Sequence, residues 1–173
     1  LARQLDLPES RVFTASTGVI GEPLQHEKIL MRMSDLIGDL DAEGIAMAAQ
    51  AIMTTDTYPK GASAQVDTPS GKVNIVGIAK GSGMIAPDMA TMLAYIFTDA
   101  QIEQAELQRL LSALNEVTFN AITVDSDTST SDTLIAAATG ASGNRVSGQN
   151  WAFSEGLHQV MRDLAHQVVR DGE

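Results

Sequence analysis

Residues 65–97 constrain this fold more than any other stretch. Gln65–Asp67 and Lys72–Ala79 are β-rich, and Thr68-Pro-Ser-Gly71 between them is turn chemistry. Proline presets one torsion and glycine accepts positive φ, so the spacing predicts a hairpin. A hairpin is antiparallel, which excludes a purely parallel doubly wound sheet. The second strand runs into Lys80-Gly-Ser-Gly-Met-Ile-Ala-Pro-Asp-Met-Ala90-Thr91 and then the apolar strand Met92–Phe97.

Helical periodicity surrounds this core. Apolar residues at Ile29, Leu30, Met33, Leu36 and Ile37 predict a helix over 26–40. Asp41 can cap a second over 42–53, whose Ile45, Ala46, Ala49, Ile52 and Met53 predict burial on most sides. An acidic helix is expected from Thr98-Asp99 to Asn115, and an amphipathic one over 155–170 through Leu157, Val160, Met161, Leu164 and Val168. Arg11–Ser16, Asn120–Asp125 and Leu134–Ala138 read as short extended segments, and residues 1–9 as a helix end and a turn at Pro8. The methionines at 31, 33, 47, 53, 84, 89 and 92 read as core filler. Strands alternating with helices make a mixed α/β domain, and 173 residues at 44% hydrophobic suit one domain with its own core. The first and last residues read as internal to a longer polypeptide.

Composition removes several function classes. A net charge of −11 argues against a phosphate backbone as partner. The chain has no cysteine, so disulfides and thiolate metal sites are excluded, and a cytoplasmic setting is expected. No apolar run reaches the ~18 residues of a spanning helix, and no basic-then-apolar leader is seen. Gly71-Lys72 is not a phosphate loop, because Val73 replaces the hydroxyl residue and Val66 the first glycine. Glycines 77–83 lack dinucleotide spacing. Asp125-Ser-Asp127-Thr-Ser129 begins like a calcium loop but has Thr130 and Ala136 where glycine and glutamate belong. No metal site or bound cofactor is expected.

The stretch from Lys80 to Leu93 has two readings. In one, a glycine-rich turn leads into a strand. In the other, Thr91 is a nucleophile freed when the chain is cut after Ala90. A threonine hydroxyl needs a base. An N-terminal threonine supplies its own, since an α-amine has a pKa of roughly 7.7–8.0. Cutting would proceed by attack of the Thr91 hydroxyl on the Ala90 carbonyl, an N-to-O shift and ester hydrolysis. Thr17-Gly18 likewise reads as a common turn, or as a hydroxyl and backbone N–H that stabilise an oxyanion. His26, His158 and His166 lie far in sequence from any serine or threonine partner.

Seven stretches together resemble the ornithine acetyltransferase family, also called glutamate N-acetyltransferase. They are Ser16-Thr17-Gly18-Val-Ile-Gly21, Ile52-Met-Thr54-Thr55-Asp56-Thr57, Lys80–Pro87, Met89-Ala90-Thr91-Met-Leu93, Phe119–Asp125, Asp127–Thr130 and Val169–Glu173. They follow the family's order across the chain. Ser126 stands where the family carries glycine in an Asp-Gly-Asp run.

The resemblance implies a four-layer α/β/β/α sandwich, like N-terminal-nucleophile enzymes in layers but not in connectivity. It implies cleavage between Ala90 and Thr91, so that 1–90 ends an α chain and 91–173 begins a β chain of one precursor. Thr91 would carry acetyl from N2-acetylornithine to glutamate in arginine biosynthesis, with Thr17 and Gly18 as oxyanion hole. Thr54, Lys80, Thr91 and Glu173 would contact substrate. The partners implied are these small molecules, acetyl-CoA as a possible co-substrate, and a homo-oligomer of αβ units; nucleic acid and membrane are not among them. The alternatives are a self-cutting amidase or aminopeptidase whose acyl-enzyme goes to water, and a non-catalytic ligand-binding domain with Thr91 internal.

Overall fold

The turn at Thr68–Gly71 closes the hairpin that the sequence predicts. A computed structural model describes residues 1–19, 21–85 and 92–172. Strand β1 (Lys60–Thr68) pairs antiparallel with β2 (Gly71–Lys80), from Thr68 opposite Gly71 to Lys60 opposite Ala79. Gly71 has φ +128°, a conformation that favours glycine, and a Cβ there would stand 2.8 Å from the end of the Asn144 side chain. The strand expected at 65–67 begins at Lys60. Its added residues are small or polar, so hydrophobic alternation did not mark them, yet they pair with Ile75–Ala79.

β3 (Leu93–Thr98) pairs antiparallel with β2, placing Lys80 opposite Leu93. β4 (Thr133–Ala138) pairs with β3 in parallel, giving the order β1-β2-β3-β4. A parallel pair needs a crossover. Helix α4 (Gln104–Glu116) lies within it and buries Leu107, Leu110 and Leu111. It starts later than expected, because Thr98 ends β3 and the Asp99 carboxylate accepts from the Asn74 amide at 2.8 Å.

Helix α5 (Trp151–Arg170) lies over β1 and β2, capped by the Asn150 side chain, which accepts from the Phe153 amide at 2.9 Å. Its Gly156 allows close approach: a Cβ would stand 2.5 Å from Val66. Leu164 and Val160 fill the space above Gly77. Val73, Ile75, Ala79, Ala94 and Ile96 meet Leu157, Val160, Met161 and Leu164 in one core. Burying side chains of this size contributes roughly 1.5–3 kcal/mol each.

The N-terminal third departs most from expectation. The helix over 26–40 is two short helices, α1 (His26–Met31) and α2 (Met33–Gly38), broken at Arg32 with φ −101° and ψ 2°. Neither buries a residue, and short helices without packing lack cooperative support. α3 (Ile45–Ala51) buries only Ala49, contrary to the burial expected on most sides. It faces β1 and β2 across a cavity of about 430 Å³ lined by Ile45, Ala49, Val76 and Ile78. Met31 and Met47 are exposed, so they are not core filler, whereas Met92 and Met161 are.

Arg11–Ser16 forms no strand; a 3-10 turn at Glu9–Arg11 precedes it. Asn120–Asp125 is not a strand either. A 3-10 turn spans Phe119–Ala121, and then Thr123, Val124 and Asp125 bond to residues 84 and 85. Bonds to a segment some 40 residues away take the place of a strand ladder there. The result is a mixed α/β fold with one four-stranded sheet among the described residues. None of the described helices is long and apolar enough to cross a membrane.

Candidate functional site

β2 ends at Lys80, and Gly81 follows with φ +152°. Around this strand end lies a cavity of about 490 Å³, lined by Thr17, Gly18, Thr54, Thr55, Lys80, Gly83, Met84, Asp125 and Asp127. Four predicted site positions, Thr17, Gly18, Thr54 and Lys80, therefore share one wall system although they are up to 63 residues apart. Ala90, Thr91 and Glu173 lie outside the described residues.

Lys80 is the electrostatic centre of the cavity. It is 3% exposed, and its ammonium stands 3.9 Å from Asp56 Oδ2, beyond hydrogen-bond range. Burial lowers its pKa; Asp56 opposes this and Lys60 adds to it. Among the described residues no hydrogen bond satisfies this ammonium. A buried cation in that state favours an anionic ligand.

Asp56 is held on every side. Its Oδ1 accepts from Lys60 Nζ at 2.7 Å and from the Gly81 amide at 2.6 Å, and its Oδ2 from the Thr54 amide at 3.1 Å. Burial alone would raise its pKa, but these bonds and the Lys60 charge hold it below the usual carboxylate range. Thr55 Oγ1 lies 2.6 Å from Ser82 Oγ, tying the 54–57 loop to the glycine-rich turn. Thr17 and Gly18 come from a segment without regular structure, and the ideal Cβ position at Gly18 has no neighbour within 4 Å.

The segment from Val124 to Thr133 pins both described ends around residues 86–91. On one side Asp125 accepts from the Met84 amide at 2.5 Å and the Ile85 amide at 2.8 Å, while Ile85 O accepts from the Val124 amide at 2.7 Å. On the other, Asp132 Oδ1 accepts from the Met92 amide at 2.8 Å, and Met92 O from the Thr133 amide at 3.0 Å. Ile85 and Met92 are both buried. Ser126 has φ +67°, the left-handed region that favours glycine. Serine accepts it at a cost of roughly 1–2 kcal/mol.

Asp132 Oδ2 is buried and unpartnered among the described residues. Burial raises this carboxyl to about 6, with the Met92 amide partly opposing. A raised carboxylate pKa means that the fold binds the proton more tightly than the unfolded chain does. Its stabilisation is therefore present below about pH 4 and lost as pH rises through about 6. Two pK units set a ceiling of roughly 3 kcal/mol, and partial exposure reduces it to roughly 1–2. Asp132→Asn keeps the acceptor and removes the titration. Thermal melts should show the variant gaining on wild type between pH 4 and 7; parallel melting curves across that range would contradict this.

The sequence reading missed Asp56, Lys60, Asp125, Asp132 and Asp171 as contributors. Asp56 stood inside a quoted motif with a lysine four residues later, but only the structure shows that Lys60 is buried against it. Asp171 lies 111 residues from Lys60, and no local pattern joins them. Among the described residues no cluster of histidine and carboxylate side chains fits a metal ion.

Fold and cleft define a mixed α/β chain that gathers backbone turns and hydroxyls around one buried ammonium. The family follows from the sequence as a whole: the ArgJ family model matches residues 1–173, and the chain belongs to that family. It is 62% identical over 167 residues to a protein of Ruegeria pomeroyi named arginine biosynthesis bifunctional protein ArgJ, covering 96% of this chain and 41% of that protein. Proteins of the same name from Bradyrhizobium diazoefficiens and Caulobacter vibrioides are 51% and 50% identical, over 99% and 100% of this chain and 44% of each. The chain thus spans about two-fifths of the length of the curated relatives it matches.

Proposed function

We propose that the full-length protein is an acetyltransferase of arginine biosynthesis, moving acetyl from N2-acetylornithine to glutamate through an acetyl-Thr91 intermediate. The carrying observation is the convergence of Thr17, Gly18, Thr54 and Lys80 on one cavity whose buried ammonium lacks a hydrogen-bonded partner among the described residues. Both substrates are amino acids with an α-carboxylate, and Lys80 supplies the counter-charge for it. Membership in the ArgJ family supports the same assignment.

The chain is cut between Ala90 and Thr91, which frees the α-amine of Thr91. That amine takes the hydroxyl proton as Thr91 Oγ attacks the acetyl carbonyl. The tetrahedral oxyanion receives hydrogen bonds from Thr17 and the Gly18 amide. Collapse breaks the bond to ornithine, whose nitrogen takes the proton and leaves. The glutamate amine then attacks the acetyl ester, and N-acetylglutamate departs as Thr91 recovers its hydroxyl proton. Thr54, Lys80 and Glu173 orient the two amino acids in turn, and no cofactor is required.

The four-layer sandwich, the homo-oligomer of αβ units and a cytoplasmic location belong to the same proposal. The relatives' description as bifunctional supports a second activity, with acetyl-CoA as donor to glutamate. The test is incubation of full-length protein with acetylornithine, with and without glutamate. Glutamate-dependent appearance of acetylglutamate and ornithine is expected. Acetate release indifferent to glutamate would make the protein a hydrolase.

A further inference from the structure

Lys60 is fully buried, and its ammonium bonds to Asp56 Oδ1 at 2.7 Å and Asp171 Oδ2 at 2.5 Å, with the Tyr58 ring centre 4.9 Å away. One ammonium against two buried carboxylates leaves a net negative charge. Lys80, beside the other oxygen of Asp56, brings the cluster to neutrality. The carboxylates direct their remaining bonds to the site's own backbone. Asp56 receives the Thr54 and Gly81 amides, and Asp171 receives the amide and hydroxyl of Thr57.

Three distant segments, 54–60, 80–81 and the end of α5, therefore meet on one charge cluster. Stability does not explain its presence, since apolar side chains of similar volume often replace a buried ionic cluster without loss. Geometry does explain it. A charge network satisfied on all sides admits few arrangements, and those it admits fix the separation of Thr54 from Lys80.

We propose that Asp56, Lys60 and Asp171 are positioning residues that set the spacing of Thr54 and Lys80, and with it the affinity for a substrate carboxylate. The inference rests on the reading that Thr54 and Lys80 hold the substrate; the three residues act through those two.

The test uses full-length protein and two variants. Asp171→Asn keeps an acceptor for Thr57 and removes one charge. Lys60→Met combined with Asp171→Asn removes opposite charges together and leaves the Asp56–Lys80 pair in place. KM for acetylornithine, kcat per cut chain and the thermal midpoint are measured for each. KM is expected to rise about 5- to 50-fold, more in the double variant, with kcat per cut chain within about twofold. Wild-type KM with a reduced cut or folded fraction would overturn the proposal and assign the cluster to stability. Failure of both variants to fold would do the same. Wild-type protein that transfers no acetyl would remove the catalytic reading, a separate result that the first assay reveals.

Discussion

Full-length protein carrying Thr91→Ala is expected to stay in one piece and to transfer no acetyl. Alanine has no hydroxyl, so the peptide after Ala90 meets no internal nucleophile and the N-to-O shift has no acceptor. The same atom is needed again in turnover, where it carries the acetyl group. The α-amine that would act as base also remains inside a peptide bond. Loss of a catalytic nucleophile lowers turnover by roughly 10⁴-fold or more. Intact mass should show a single species for the variant and two chains for wild type. Thr91→Ser, which retains the hydroxyl, should still be cut. A cleaved alanine variant would refute the nucleophile assignment outright.

Lys80→Met should produce the opposite dissociation, a cut protein that binds its substrates poorly. Self-cleavage involves no substrate carboxylate, so removing the ammonium leaves it intact. The change leaves Lys60 alone against Asp56 and Asp171, so some stability is lost and the thermal midpoint is read beside KM. Asp56 keeps Lys60 and the Gly81 and Thr54 amides as partners, and methionine occupies a site where burial already disfavours charge. Substrate loses its counter-charge, and leaving one partner of a desolvated pair alone costs roughly 3–5 kcal/mol. That corresponds to a fall of about 10²–10⁴-fold in kcat/KM, carried by KM where binding is uniform. Unaltered KM for both amino acids would remove Lys80 from the site.

The physical origin of Lys80's role is where β2 ends. Lys80 is the last residue of a central strand, paired opposite Leu93, and the positive φ of Gly81 turns the chain away immediately after it. The ammonium is thereby held at a sheet end 3.9 Å from Asp56 Oδ2, beyond hydrogen-bond range, beside the cavity.

Much of this was legible in local pattern. The hairpin follows from Thr68-Pro-Ser-Gly71, because proline and glycine restrict the backbone wherever they occur. The amphipathic α5 follows from period and burial, and its true start was marked by Asn150, a capping residue. Short-range patterns failed where long-range pairing decides. The segments at 11–16 and 120–125 have strand-like composition, yet the first finds no strand partner and the second gives its bonds to residues 84 and 85. α1 and α2 carry a helical stripe of apolar residues of which Met33 and Ile37 are half-buried and Ile29, Leu30 and Leu36 exposed.

For the candidate site, the sequence alone determined the chemistry on offer: a threonine after a small residue, a Thr-Gly pair, a lysine at a strand end, and a net charge of −11. Residue type and immediate neighbours dictate those properties in any fold. Only the tertiary structure decided that Thr17, Gly18, Thr54 and Lys80 share a cavity, and that Asp56, Lys60 and Asp171 stand behind them. Electrostatic partnership depends on distance and burial, and those exist only once α5 has packed across β1 and β2 and carried Asp171 to Lys60.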